Sequence, residues 1–478
     1  MATQDAPVPE LRSRATACAE RLLEAERVLL VSHIDADGLT SAGIAASALE
    51  RAGIAFEAAF EKQLDEASIA AIAERGYGTV LFTDFGSGQL EAIAERERAG
   101  DFVPVIADHH QPADAETEYH LNPLLEGIDG ASSLSGAGAS YLLARELAAE
   151  SPGGKRRDNR DLAALAVVGA VGDMQASDGK LRGANAAIVA DGVEAGVLEE
   201  KKDLAVYGKQ TRPLPKLLEY ASDVRIPGIT NDERGAVSFL DGLEVSCRAE
   251  GAWKRWVDLT DDEKRTVASA LVRHAVNRGV PAFEIDRLVG TSYVLTEEAV
   301  GTELRDASEF STLLNATARY ERADVGLAVC LGDRGAALDR AVELLRNHRR
   351  NLSEGIEWVE DNGVTETEHL QWFDAGDEIK ETIVGIIAGM SMGTDGVSRD
   401  RPIVAFAEKN DKETKVSSRA TGPLVGDGLD LSVVMGEAAR AVGGDGGGHD
   451  IAAGATIPSG KRAAFIEHAD RLAAEQLG

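Results

Sequence analysis

The chain has 478 residues, 44% hydrophobic and 27% charged, enough to bury sizeable cores and to exclude a disordered chain. Its formal net charge of -31 arises from 81 acidic against 50 basic residues spread along the whole length, with arginine outnumbering lysine, a composition similar to that of a cytoplasmic protein from an extreme halophile, with an ordinary acidic enzyme as the alternative. Such a surface repels polyanions in dilute buffer, but about 1 M salt shortens the Debye length to about 3 Å, so acidity does not exclude a nucleic-acid substrate.

No run approaches the roughly 18 to 20 apolar residues of a membrane span, and the segment MATQDAPVPELRSRA carries no apolar signal core, which predicts a cytoplasmic location without membrane attachment. Cys18, Cys247 and Cys330 are far apart and lack Cys-x-x-Cys spacing, which argues against a disulfide framework and against a thiolate zinc site.

In chain order, RVLLVSH, LTSAGIAASALERAG, EAAFE, LDEASIAAIAERG, GTVLFTD, QLEAIAERERAG and DFVPVIADHH alternate apolar runs with amphipathic stretches. This alternation predicts a parallel sheet covered by helices on both faces. GAGASYLLARELAAE and RDLAALAVVGAVGDM add two helices, and residues 200 to 305 change character to an inserted, mostly helical region containing DDEKRTVASALVRHAVNRG. Compact patterns resume near 306, NGVTETEH reads as a turn-rich connection, and the end reads as a small α/β domain with strand-like IVGIIAG and RPIVAFAEKNDKETKVSSRAT and a Gly-rich GGDGGGHDIAAGATIP.

Three apolar runs end in ligand-type residues: His33, Asp35 and Asp37 after the first, Asp84 after GTVLFT, and Asp108, His109 and His110 after FVPVIA. Ligand sites of open parallel sheets lie outside the carboxyl ends of the strands, so these segments converge, and Asp173 joins them from the end of a small-residue helix. Five aspartates and three histidines in one crevice require compensating charge, and oxygen-rich ligands with imidazole and no thiolate favour two divalent cations, manganese or magnesium. The expected division places His33 and Asp35 on one ion, Asp37, His109 and Asp173 on the other, and Asp84 between them. Two such ions about 3.5 to 4 Å apart suit phosphoester hydrolysis. His110 points away from the ligand direction of His109 if the segment is extended, and is expected at the scissile phosphate or its attacking water.

His33-Ile34-Asp35-Ala36-Asp37-Gly38, Asp84, Asp108-His109-His110 and Gly172-Asp173 resemble the four motifs of the DHH phosphoesterase superfamily, and Gly446-Gly447-Gly448-His449 resembles the signature of its DHH-associated C-terminal domain. LLNATAR, Leu313 to Arg319, and the following NHRRNLSEG resemble RecJ-type single-strand exonucleases, whose archaeal members carry an insertion where residues 200 to 305 lie. The bacterial enzymes' oligonucleotide-binding barrel has no counterpart here. The resemblance implies a parallel-sheet DHH phosphoesterase domain over 1–200, a mostly helical insertion over 201–305, a continuation of the DHH domain with a connecting helix over 306–369, and an α/β DHH-associated substrate-binding domain over 370–478. It implies a metal-dependent exonuclease on single-stranded DNA or RNA in replication or repair, with Asp84, Asp108 and His110 catalytic. Competing readings are a phosphodiesterase for short oligonucleotides or cyclic dinucleotides, and a replisome component that binds the GINS complex.

The expected substrate contacts are Asn315 and Arg319, one helical turn apart, with Ser418 and Arg419 ending a stretch that concentrates Lys409, Lys412 and Lys415, and Gly446 to Gly448 forming an anion nest beside His449. A surface salt bridge for Arg319, a solvated hairpin for the lysines and a tight turn for the glycines are the structural alternatives. For Trp253, Trp256, Trp358 and Trp372, packing is expected rather than base stacking.

Overall fold

The computed structural model describes residues 6–150, 158–176, 179–221, 224–394 and 396–478, so the first five residues of the amino-terminal segment lie outside it. The chain divides into two compact units, Met1–Val342 and Glu343–Gly478.

The first unit opens with α1 (Arg12–Leu23), β1 (Arg27–His33), α2 (Ala36–Ala52), β2 (Ala55–Glu61), α3 (Glu66–Glu74), β3 (Thr79–Thr83), α4 (Leu90–Ala99), β4 (Val103–Ala107) and β5 (His120–Leu121). The five strands form one sheet in the order β2-β1-β3-β4-β5, and every pairing is parallel. The chain moves from β1 outward to β2 and returns to β3 on the other side. That reversal leaves a crevice beyond the carboxyl ends of β1 and β3, where open sheets bind ligands. Ser32 pairs with Thr83, which pairs with Ala107, so the three strands end level and deliver His33, Asp84 and Asp108 to one edge.

Packing on the sheet explains the small residues of the next elements, α5 (Gly136–Glu150), α6 (Ala163–Gly172) and α7 (Gly183–Glu194). Between Ala36 and Leu49 every residue of α2 except Ser47 is buried. Such a helix admits its neighbours only where their side chains are small. Gly169 of α6 is the closest case: a Cβ there would lie 2.4 Å from Asp37 Oδ1 and 2.5 Å from both Ala137 Cβ and Thr40 Oγ1.

The region following α7 contains β6 (Leu198–Leu204), α8 (Leu214–Glu219), α9 (Glu233–Asp241), a short hairpin of β7 (Arg248–Ala249) and β8 (Ala252–Trp253), α10 (Asp261–Asn277), α11 (Ala282–Asp286) and β9 (Val289–Leu295). Strands β6 and β9 pair antiparallel and bracket a separate core that includes Leu214, Leu217, Trp256, Val267 and Leu271. Trp256 is fully buried, Trp253 stacks with the Arg248 guanidinium, and Trp358 and Trp372 pack against cores of the second unit. All four tryptophans serve packing. The chain continues through α12 (Ala307–Arg319), α13 (Ala323–Cys330) and α14 (Ala336–Asn362), the helix that carries it from the first unit into the second.

The second unit adds β10 (Thr365–Glu366), β11 (Gln371–Asp374), α15 (Val384–Ser391), β12 (Ile403–Asn410), β13 (Glu413–Arg419), α16 (Gly422–Gly426), α17 (Leu431–Ala441), β14 (Asp445–Gly448), β15 (Ala452–Pro458) and α18 (Arg462–Leu477). Its sheet runs β10-β11-β12-β13-β15-β14. Alternation along β12 sends Val404 and Phe406 to a core with α17 and α18, and Ile403, Ala405 and Ala407 to one with α15. IVGIIAG, strand-like in sequence, is helical here. Gly385 lets α15 lie against Ser417 and Arg419 of β13, where a Cβ would stand 2.9 Å from Ser417 Cβ, and Gly389, one turn on, faces Arg419 at ordinary contact distance. No helix among the described residues is long and apolar enough to cross a membrane.

The close approach of α6 to α2 is testable. Gly169→Val should destabilise the protein by about 1 to 3 kcal/mol or more through overpacking. A urea titration followed by circular dichroism in chelator measures it, and an unchanged midpoint would show that the helices do not approach this closely.

Candidate metal centre

Local structure at the end of β1 follows from the sequence HIDADG. Asp35 has extended backbone and caps α2, its Oδ1 accepting from Gly38 N at 2.9 Å, while Asp37 falls in the first turn. The start of α2 is secured twice more, by Ser32 Oγ donating to the Gly38 carbonyl at 2.7 Å and by Ala36 N donating to Asn315 Oδ1 at 3.0 Å.

Four segments meet here. His33 Nδ1 lies 3.1 Å from Asp35 Oδ2 and 3.7 Å from Asp84 Oδ2. His109 Nε2 lies 3.4 Å from Asp84 Oδ1 and 3.8 Å from both Asp37 Oδ2 and Asp173 Oδ2. His33, Asp35 and Asp84 therefore form one potential ligand group, Asp37, His109 and Asp173 another, and Asp84 touches both. Asp84 has φ of 61°, in the left-handed region, a conformation aspartate tolerates better than most residues and one that recurs at functional sites. Gly136 makes room for it, since a Cβ at that position would stand 2.4 Å from Asp84 Oδ1.

The electrostatics of the cluster are those of a cation site. Burial raises the Asp37 carboxyl well above its usual range, and the charges of Asp84 and Asp173 raise it further. Burial likewise raises Asp173. Burial would raise Asp84 and lower His109 and His33, but the hydrogen bonds and opposite charges among them prevail, so Asp84 is held low and both imidazoles high. Two buried atoms of the cluster, Asp84 Oδ1 and His109 Nε2, stand 3.4 Å apart and make no well-aligned hydrogen bond. His109 Nδ1 sits 2.7 Å from the Gly130 carbonyl, which can only accept, so Nδ1 carries hydrogen; the carboxylates hold a second proton on Nε2, and a cation that displaces this proton would meet the Nε2 lone pair among three carboxylates. A lone pair facing anions suits a metal ion better than any protein group. Oxygen donors with one imidazole in each triad fit manganese or magnesium.

Asp108 belongs to a third group of potential ligands, with Asp84, His109 and His110. It is fully buried, Oδ1 accepting from His109 N, His110 N and His110 Nδ1 and Oδ2 from Ser87 N, all within 3.2 Å. Solvent does not reach Asp108, whose carboxylate is occupied by these four hydrogen bonds. Its hydrogen bond raises the pKa of His110, whose side chain is 56% exposed. Ser87, Asn122 and His120 brace this arrangement: Asn122 Nδ2 donates to Ser87 Oγ and to the His110 carbonyl, and His120 Nε2 lies 2.9 Å from Ser87 Oγ. Gln175 and Asn185 form a similar buried group behind Asp173. Sequence reasoning missed all five, since single polar residues away from strand ends carry no pattern. Only the spacing of Gln175, two residues past Asp173, was a signal.

The expected substrate contacts are more scattered. Asn315 and Arg319 share α12, yet Asn315 is engaged with Ala36 while Arg319 is exposed in the last turn and makes no ion pair among the described residues. In the second unit Ser418 is fully buried and its hydroxyl donates to the Ala453 carbonyl, so it cannot reach a ligand. Strand alternation puts Ser417 on the face of Arg419 instead. Arg419 Nη1 donates to the Ser418 carbonyl at 2.7 Å. Lys409 pairs with Glu413 at 3.2 Å, and burial lowers Lys415. Gly446 to Gly448 are an extended outer strand paired with β15, not a nest, which needs alternating helical backbone; His449 is exposed at the hairpin tip.

Family profiles match three segments: the DHH family N-terminal domain over residues 27–170, the DHH-CID domain over 206–289 and the DHHA1 domain over 369–475. An uncharacterized protein of Methanocaldococcus jannaschii is 29% identical over 458 residues, 94% of each chain. Among solved structures, RecJ of Thermus thermophilus in complex with Mn2+ superposes with a TM-score of 0.60 at 18% identity, covering 98% of this chain, which spans 55% of the length of that enzyme. CDC45 of Entamoeba histolytica gives 0.64 at 12% identity, covering 97% of each chain. At these identities the structural likeness establishes a RecJ-like fold.

Crowding of like charge generates the prediction for this site. An aspartate whose folded pKa is raised loses stability as pH climbs from its unfolded value through its folded one, so neutralising it restores that loss at pH 7. Asp173→Asn should therefore melt higher than the wild type in chelator, and gain less from added manganese. A lower melting temperature in chelator would refute the repulsion.

Proposed function

We propose that this chain, a DHH-superfamily protein of RecJ-like fold, is a metal-dependent phosphodiesterase that degrades single-stranded nucleic acid as an exonuclease. The observation that carries the reading is the buried pair His109 Nε2 and Asp84 Oδ1, without a well-aligned hydrogen bond among four carboxylates. Asp37, His109 and Asp173 would hold one divalent cation, His33 and Asp35 a second, and Asp84 would touch both. Such ions supply a hydroxide-like nucleophile and neutralise charge developing on phosphorus.

The remaining chemistry belongs to the protein. Asp108 fixes the His110 ring, accepting from Nδ1 at 2.8 Å, and leaves Nε2 at the exposed mouth to hydrogen-bond a non-bridging phosphate oxygen. Arg319 offers a bidentate fork for a phosphate away from the scissile one, and Arg419 is proposed to grip nucleic-acid phosphates as well. A role as a replisome component, with GINS as partner, is the second reading, favoured by likeness to CDC45 along 97% of both chains. The complete ligand set favours catalysis, and the two roles are compatible.

His110→Ala should retain both ions and lower turnover by about 100-fold or more, the usual yield of one positioned acid or hydrogen-bond donor. Manganese titration alongside single-turnover digestion checks this, and loss of an ion would make His110 a ligand.

The decisive experiment is digestion of an end-labelled single strand with manganese in high potassium chloride, compared with a dinucleotide. Long strands should be cut stepwise from an end. Arg319→Ala and Arg419→Ala should each slow the long strand more than the dinucleotide, by about 10- to 100-fold in low salt, where a charge-assisted contact contributes about 1.5 to 3 kcal/mol. Equal slowing of both substrates would place the arginines at the scissile phosphate and favour a short-oligonucleotide phosphodiesterase.

A further inference from the structure

Behind one of the ligand triads lies a buried amide pair that the chemistry above leaves unused. After Asp173 the chain kinks at Met174, whose φ of 59° is left-handed, so Met174 stays exposed while Gln175 turns inward. Gln175 and Asn185 are 5% and 2% exposed. Gln175 Nε2 donates to Asp173 Oδ2 and to the Gly130 carbonyl, each at 2.9 Å. The same Gly130 carbonyl accepts from His109 Nδ1 at 2.7 Å. Gln175 Oε1 accepts from Asn185 Nδ2 at 2.5 Å, and the Asn185 backbone is tied to the Ser133 carbonyl at 2.8 Å.

The orientation of the amide is forced. A carboxylate and a carbonyl only accept, so the NH2 must face them and the oxygen must face Asn185. One side chain thus braces Asp173 directly and His109 through a shared carbonyl, two members of a single triad. Among the hydrogen bonds of the described residues, the other triad has no such brace, and its His33 and Asp35 side chains are 30% and 45% exposed.

We propose that Gln175 is a positioning residue for the ion held by Asp37, His109 and Asp173, and that Asn185 sets the direction of its amide. The inference rests on the metal-dependent reading of the site and adds a difference between its two ion positions. Outer partners of metal ligands commonly govern affinity by about 10- to 100-fold. Replacing Asn185 with aspartate removes the donor to Oε1 and sets an acceptor against it, so that no orientation of the Gln175 amide satisfies Asp173, Gly130 and residue 185 together, and no ligand is touched.

The test is manganese titration of the full chain, with free ion read by electron paramagnetic resonance, for wild type, Gln175→Met and Asn185→Asp. Melting in chelator verifies that each variant is folded, and either folded variant suffices. One ion should bind as in wild type and the other about 10- to 100-fold more weakly. Wild-type binding of both ions, or equal weakening of both, would overturn the assignment. Failure of the metal reading is distinguishable, because it shows in chains with Gln175 intact: a wild type that binds no manganese, or binds it equally well after Asp173→Ala, overturns that reading and this inference with it.

Discussion

Four carboxylates cannot share a small buried space as anions without positive charge among them, and this constraint organises the first unit. Asp37 and Asp84 are 2% exposed, so water does not supply the missing screening. The protein supplies part of it. Asp37 accepts from the first two amides of α5, Gly136 N at 2.7 Å and Ala137 N at 3.0 Å, which places its charge at a helix amino terminus. His33 and His109 supply more, at the cost of burying imidazole. What the protein leaves uncompensated, a pair of cations can neutralise, and the left-handed backbone of Asp84 and the side-chain-free Gly136 are the local concessions that bring the ligands close enough.

Much of this was legible in the sequence because strand ends carry a strong signal. A buried parallel strand reads as a continuous apolar run, and a polar residue that terminates three such runs in succession must lie on one sheet edge. The structure brings His33, Asp35 and Asp84 together, and likewise Asp37, His109 and Asp173, beside a third group of Asp84, Asp108, His109 and His110. Legibility fell where burial depends on one residue's parity or on partners far along the chain. Ser417 and Ser418 are chemically identical neighbours, and only strand register tells which faces α15 beside Arg419. IVGIIAG has the composition of a buried strand, but glycines four apart also make a helix face that packs closely on a sheet. Strand β6, LEEKKDL, is too charged to announce itself and gains its place by pairing with β9.

Low-identity likeness to both RecJ and CDC45 fits this division of information. The backbone shared by such chains is set by apolar patterning and layer packing, which many sequences satisfy, so fold alone does not decide between catalysis and scaffolding. Side-chain sets at the sheet edge do distinguish them. Under the proposed reading, the intact carboxylates and imidazoles carry the functional argument, and Arg319 and Arg419 carry the preference for long strands.

The two halves of the site also differ in what surrounds them, and access follows from that difference. Asp37, Asp84 and His109 are buried beneath α5 and α6, whereas Asp35, His33 and His110 have side chains 45%, 30% and 56% exposed. Under the proposed reading a phosphate can approach only from the exposed side, where His110 waits on its Asp108 brace. Of the triad Asp37, His109 and Asp173, the first two are then out of reach of solvent and substrate, while Asp173 keeps a side chain 32% exposed. The geometry of that buried pair must be right before the substrate arrives, because nothing that enters can correct it, and rigid buried amides such as Gln175 and Asn185 are the kind of support such a position requires.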